Sequence, residues 1–188
     1  MTTTLKRRTV AVSAVAVAVC SVGLVAAHHD PAQASPVATR VGGDPVPAPV
    51  QVPAGQVLVG DFLGTGVQVY RCTAGAWGFV EPAANLVGWT TRRPDFASAV
   101  HFRGPSWEST DDGSLVEAKV IASSPVAGSI PQLLLQSTGN RGDGVFGHVG
   151  YVQRLATHGG AAPAGACTDG RTTGVPYRAE YRFFTPAG

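Results

Sequence analysis

The stretch Tyr177-Arg178-Ala179-Glu180-Tyr181-Arg182-Phe183-Phe184 decides the fold class. Tyr177, Ala179, Tyr181 and Phe183 fall on one side of an extended chain and Arg178, Glu180 and Arg182 on the other, the period-two pattern of a half-buried strand. The same alternation recurs upstream in Val116-Glu117-Ala118-Lys119-Val120 and in Val67-Gln68-Val69-Tyr70-Arg71-Cys72. Trp77 to Val80, Val100 to Arg103 and Val145 to Ala156 are further strand candidates. Turn signals separate them: Asp112-Gly113, Gly139-Asn140, Gly142-Asp143-Gly144 and His158-Gly159-Gly160. Only Ile130 to Ser137 competes as a helix, and Pro131 with Leu133-Leu134-Leu135 suits a buried strand equally well. With 24 Gly and 14 Pro in 188 residues, the chain favours short strands and turns over long helices. These readings predict an all-β chain, a single antiparallel β-sandwich or barrel of seven or more short strands. Alternation is the same in both architectures.

The N-terminus reads as an export signal. Lys6, Arg7 and Arg8 precede an apolar run from Val10 to Ala27, and Ala32-Gln33-Ala34 places small residues at the two positions a signal peptidase reads. Cleavage after Ala34 is expected, giving residues 1–34 as signal peptide and a secreted, extracellular product with no membrane span. A retained anchor is the competing reading, since the run approaches the roughly 20 residues that cross a bilayer, although Ala, Ser and Gly dominate it. Lipidation at Cys20 is disfavoured by the branched Val19 before it. Cleavage removes three of 14 basic and one of 12 acidic side chains, leaving 11 of each. A near-neutral chain without a basic patch excludes nucleic acid as a partner.

Residues 35–53 are rich in Pro, Ala and Val and read as a linker, with Gln56 to Val59 at most an edge strand. The β domain is assigned to residues 54–188. Loss of Cys20 leaves Cys72 and Cys167, which in an oxidising compartment are expected to form one disulfide. Two buried thiols or a redox pair are the alternatives, though no C-x-x-C spacing is present.

Several ordered elements carry a family resemblance: Gly66-Val67-Gln68-Val69-Tyr70-Arg71-Cys72, His101-Phe102-Arg103-Gly104-Pro105-Ser106-Trp107-Glu108 with Asp112-Gly113-Ser114, Tyr151-Val152-Gln153-Arg154-Leu155-Ala156-Thr157, and Val175-Pro176-Tyr177 with Tyr181. From about Pro53 to Phe184 the chain resembles the secreted family known as domain of unknown function 3455. The resemblance implies an exported, β-rich domain of bacteria and fungi with paired cysteines and no established reaction. A malate dehydrogenase label on some fungal relatives finds no support here. No G-x-G-x-x-G opens a βαβ unit, and no cofactor is implied.

Candidate chemistry is sparse. Of His101, His148 and His158, none forms H-E-x-x-H or H-x-H, so no metal site is assigned; His101 with Glu108, Asp111 or Asp112 is the best distant set. His148 and His158 flank glycines and read as exposed. Asp111-Asp112-Gly113 reads first as a turn. Ser106 lies outside any G-x-S-x-G, so a triad with His101 and Asp112 has little to recommend it. Glu108 with Asp112 is the nearest pair of carboxylates for glycoside hydrolysis. Arg141-Gly142-Asp143 reads as a turn, and no N-x-S/T sequon occurs. Trp77 and Trp89 read as core or loop anchors.

The segment His101 to Ser114 concentrates His101, Arg103, Trp107, Glu108 and Asp112 between Gly and Pro, the composition of a site that stacks a flat ligand on an aromatic ring. The bland alternative has Trp107 plugging one end of a barrel and Glu108 pairing with Arg103. Two functions follow. The first is a secreted non-catalytic domain whose partner is a cell-envelope, carbohydrate or small apolar ligand held by these five residues. The second is a secreted metal-assisted or carboxylate hydrolase using His101, Glu108 and Asp112, which must then converge.

Overall fold

The structure is a computed structural model that describes residues 40–41, 44–91 and 96–188. The expected signal peptide, its cleavage point, the anchor and lipidation alternatives and the start of the linker lie outside these residues. Two short strands, β1 (Arg40–Val41) and β2 (Asp44–Pro45), pair with each other. The remaining eight close into an antiparallel barrel: β3 (Gln56–Thr73), β4 (Ala76–Thr90), β5 (Phe96–Phe102), β6 (Ser106–Ser109), β7 (Leu115–Ser124), β8 (Gln132–Arg141), β9 (Tyr151–Gly159) and β10 (Thr172–Pro186). Each strand pairs with the next in sequence, and β10 returns to β3 from Gln56↔Pro186 to Arg71↔Thr172. Closure settles barrel over sandwich, and within the ring only stretches beyond a neighbour's reach, such as those at Gln56–Leu58 and Pro82, lack a second partner.

The alternation in β10 points as read. Tyr177, Ala179, Tyr181 and Phe183 are all buried in the interior. The opposite face is less wet than its charges suggest, because Arg182 is buried and pairs with Asp61 at 3.2 Å and with Glu180. Ile130 to Ser137 carries no helix; β8 begins at Gln132, with Leu135 inside and Leu134 outside.

Several strands are longer than their sequences suggest. β3 has 18 residues and β4 has 15, although only Trp77 to Val80 reads as strand in the latter. Pro82 is accommodated because β5 pairs with β4 only from Ala84 onward, so the proline sits where one flank lacks a partner. Gln56 to Val59 likewise pairs only with β10, the singly paired status expected of it. Val145 to Ala156 divides. β9 starts at Tyr151, while Val145, Phe146 and Val149 turn inward and join the core.

The end bearing the β4–β5, β6–β7 and β8–β9 connections is the floor of the barrel, and the other end its mouth. Phe146 closes the floor against Phe183, with ring centroids 4.5 Å apart, and Phe183 meets Phe62 and Trp107 edge-on at 5.5 and 5.9 Å. At the mouth the Cys72–Cys167 disulfide, Cα atoms 5.9 Å apart, ties the β9–β10 connection to the end of β3.

The second half of the Pro-rich segment is anchored. Val46, Val50 and Val52 are buried against outward-facing Leu134, Leu155 and Phe184, and Gln153 donates to the Val50 carbonyl at 2.6 Å. Pro47 is extended, Ala48–Val50 makes one 3-10 turn closed by the Val50 N–H on the Pro47 carbonyl, and the valines between the prolines supply the contact surface. Trp77 and Trp89 anchor no core: Trp77 is only half-buried, and Trp89 is exposed because it falls in the outward phase of β4, between inward Leu86 and Thr90.

Candidate functional site

Eight strands make an interior that side chains just fill or that holds one small ligand. Here the floor half is filled and the mouth half is not. A cavity of about 400 Å³ opens there, beneath the β5–β6 turn and the loop before β8. Val120, Ile130, Pro131, Leu133 and Leu135 supply apolar lining, and Gln68, Tyr70, His101, Trp107, Arg154 and Tyr181 supply aromatic and polar groups. Phe79, Arg103 and Val120 are exposed at the rim.

Period two places these groups. Gln68 and Tyr70 are two apart on β3, and Leu133 and Leu135 on β8, so each pair faces the same way. Gly64 is required beneath Tyr181: a Cβ there would lie 2.6 Å from the phenol ring. His101 pairs with Trp107 across β5 and β6, and their rings stack 4.3 Å apart and within 3° of parallel. Tyr181 meets both rings edge-on, at 5.2 and 5.8 Å. The Tyr177 and Tyr181 hydroxyls lie 3.0 Å apart, and Tyr70 donates to the Gly160 carbonyl at 2.6 Å.

His101 is 3% exposed, and its Nδ1 lies 2.8 Å from the Ser106 carbonyl. A carbonyl only accepts, so Nδ1 carries the proton and Nε2 the lone pair. Burial is the main reason its pKa is lowered to about 3; the Ser106 contact opposes the shift and the Arg154 charge adds to it. Burial raises the phenols of Tyr70, Tyr177 and Tyr181, against an opposing pull from Arg154 in each case. At neutral pH the cavity therefore has a neutral imidazole, protonated phenols and two guanidinium groups, Arg103 at the rim and Arg154 within.

This gives a pH prediction. An unfolded imidazole takes up its proton near pH 6.5, whereas folded His101 refuses it until about pH 3. The stability is full above pH 6.5 and is lost as pH falls through that window, by about 1.4 kcal/mol per unit. The pH 6.5 to 4 loss in denaturant-derived stability should be about 3 kcal/mol larger for the native chain than for His101→Phe. Parallel pH profiles would contradict it.

Of the five residues singled out, His101, Arg103 and Trp107 meet at the cavity and Glu108 and Asp112 do not. Trp107 is 1% exposed, a core ring whose face is covered by His101, so it is no open stacking platform. Arg103 pairs with Glu81 at 3.2 Å, not with Glu108. The pleat turns Glu108 to the outside, where Arg141 meets it at 2.8 Å. Asp112 is a floor residue: it accepts from the backbone of Ser114 at 2.8 Å and of Val145 at 3.0 Å, fastening the segment that carries Phe146. Burial pushes its carboxyl up, but bonds from Ser114, Val145 and Ser109 outweigh that and leave it below the usual range. Ser106 donates to the Arg103 carbonyl, so no triad assembles with His101 and Asp112. Among the described residues no three His, Cys, Asp or Glu side chains gather as metal ligands. His148 and His158 are exposed, as read.

Gln68, Tyr70, Arg154 and Tyr181 went unmarked in the sequence reading. Their signal is a polar or aromatic residue in phase with buried neighbours: Arg154 two after Val152, Tyr181 between Ala179 and Phe183.

The fold and its cavity define a closed eight-stranded antiparallel barrel with room for one small molecule. Residues 53–185 match the family described as Protein of unknown function (DUF3455), and the chain belongs to that family. The match agrees with the resemblance carried by the motifs from Pro53 to Phe184. No curated protein and no solved structure gives a significant match to the chain.

Proposed function

We propose that this domain is a secreted, non-catalytic binding protein that takes one small, mostly apolar ligand into the mouth half of its barrel. The carrying observation is the cavity, about 400 Å³, with aliphatic side chains and prolines on one side and aromatic rings on the other. That volume lies in the range of sites for single small molecules. Its lining favours a compact apolar ligand over the carbohydrate and cell-envelope readings, since a sugar would leave many hydroxyls facing Val120, Ile130, Leu133 and Leu135. The hydrolase reading needs His101, Glu108 and Asp112 to converge, and they occupy the interior, the outer face and the floor. Secretion is supported by the signal-like N-terminus and by the disulfide. Among the described residues no helix is long and apolar enough to cross a membrane.

The test is titration with 1-N-phenylnaphthylamine, a neutral dye whose emission rises in apolar surroundings. The native chain should bind it saturably. Leu133→Trp, which fills the cavity from a half-buried wall position, should weaken binding by about tenfold or more while thermal unfolding stays within a few degrees. No saturable signal, or equal affinity in the filled variant, would end the reading.

A further inference from the structure

The charges of the cavity lining are one-sided. Two arginines, Arg103 and Arg154, face it, and among the described residues no Asp or Glu lines it. Arg103 is answered at the rim by Glu81. Arg154 has no carboxylate within ion-pair distance among the described residues; its Nε and Nη2 donate to the Pro131 carbonyl at 3.1 and 3.0 Å. A guanidinium carries five N–H donors; Pro131 takes two of them and the Tyr181 hydroxyl is a further acceptor, which leaves N–H groups over for a ligand. Its charge acts on His101, Tyr70, Tyr177 and Tyr181, which places it electrically at the centre of the polar cluster. None of these neighbours is an anion at neutral pH. A neighbouring donor is unanswered: the Trp107 indole Nε1–H is buried without a hydrogen-bond partner. A half-enclosed cation beside surplus donors and an aliphatic wall calls for a ligand with an anionic acceptor at one end and an apolar body. The carboxylate suits the flat, two-pronged guanidinium edge.

We propose that the ligand class is a small apolar monocarboxylate, its carboxylate seated on the Arg154 N–H groups that Pro131 and Tyr181 leave over and its body against Leu133, Leu135 and Ile130. This rests on the binding function proposed above, and adds to it the head group and the residue that reads it.

The experiment displaces bound 1-N-phenylnaphthylamine from the full chain at pH 7.5 with decanoate and, separately, with decanamide, which has the same carbon chain and no charge. Decanoate should displace the dye at a concentration about tenfold or more below decanamide, as expected for a hydrogen bond between charged groups away from bulk water. Arg154→Gln should bring the two close to equality when each displacement is referred to the dye affinity of that variant. Arg154→Lys keeps the charge but not the fork, and should retain a reduced preference; it also serves if the glutamine variant fails to fold. Equal displacement in the native chain, with dye bound, would overturn the carboxylate assignment and leave the cavity a neutral-ligand site. A preference that persists in Arg154→Gln would place the anion elsewhere and overturn it too. Failure of the dye and both decyl compounds to bind would instead remove the binding function itself.

Discussion

Trp107→Ala is expected to lower the stability of the domain by about 3 to 5 kcal/mol, the range for removing a fully buried large aromatic side chain. The indole is 1% exposed and touches both halves of the interior: it stacks on His101 towards the mouth and meets Phe183 edge-on towards the floor. The strands around it are hydrogen-bonded into a closed ring, so they cannot move inward to fill the space, and the cavity cost is added to the transfer cost. Chemical denaturation of the purified variant measures this, and Trp107→Phe should recover part of the loss. A Trp107→Ala protein that unfolds at the native denaturant concentration would show that the ring is a surface platform after all. The expected result separates the two meanings a tryptophan has in a Gly- and Pro-bounded segment, contact for a ligand or contact for the protein. Here it lines the cavity by virtue of being core.

The second large effect concerns the disulfide. Replacing both Cys72 and Cys167 by alanine is expected to cost about 4 to 5 kcal/mol, from the chain entropy that a cross-link over a sequence separation of 95 removes from the unfolded state. The bond also has local help. The Cys72 and Cys167 N–H groups donate to the carbonyls of Arg171 and Gly75, and Asp169 accepts from the Gly75 N–H at 2.8 Å. Those contacts should keep the double variant folded at low temperature and let its stability be measured against the native chain under identical conditions. The same connection presents the Gly160 carbonyl to Tyr70 at the cavity, so weaker dye binding should accompany the lower stability. Unchanged denaturation would mean that the unfolded chain is already confined without the bond.

The fold was legible where period two was strict and both faces had distinct chemistry. β10 meets that condition, with four inward aromatic or small residues against three charges. β4 does not: Gly78, Pro82, Ala83 and Ala84 give little contrast between faces, and 15 residues of strand read as four. Val145 to Val149 misled for the opposite reason, since apolar residues that plug a barrel floor carry the same composition as a strand lining its wall. Barrel closure was illegible because it depends on β10 finding β3 across the whole sequence, and no local pattern records that pairing. The paired cysteines were legible from the expected export and their number alone.

The site was half legible. His101 and Trp107 stand six residues apart in a segment of unusual composition, and the β5–β6 hairpin brings them face to face. Glu108 and Asp112 were drawn into the same group by proximity, but one step along a strand reverses the side and five steps pass beyond its end. Arg154 was hidden by its surroundings. Tyr151-Val152-Gln153-Arg154-Leu155 mixes polar and apolar residues in both phases, because Gln153 and Leu155 face outward yet are covered by the segment from Val46 to Val52. A strand buried on both faces loses the contrast from which orientation is read.

The pairing that closes the ring has one more consequence. Gln56 lies beside Pro186, and the Ala187 N–H donates to the Gly55 carbonyl at 2.8 Å, so the barrel's two chain ends share a single berth at the floor. Register alone puts the cavity at the other pole, under the β5–β6 turn and the loop ahead of β8. Polypeptide or a surface attached at that berth would therefore hold the barrel by its closed pole and leave the cavity pole facing outward.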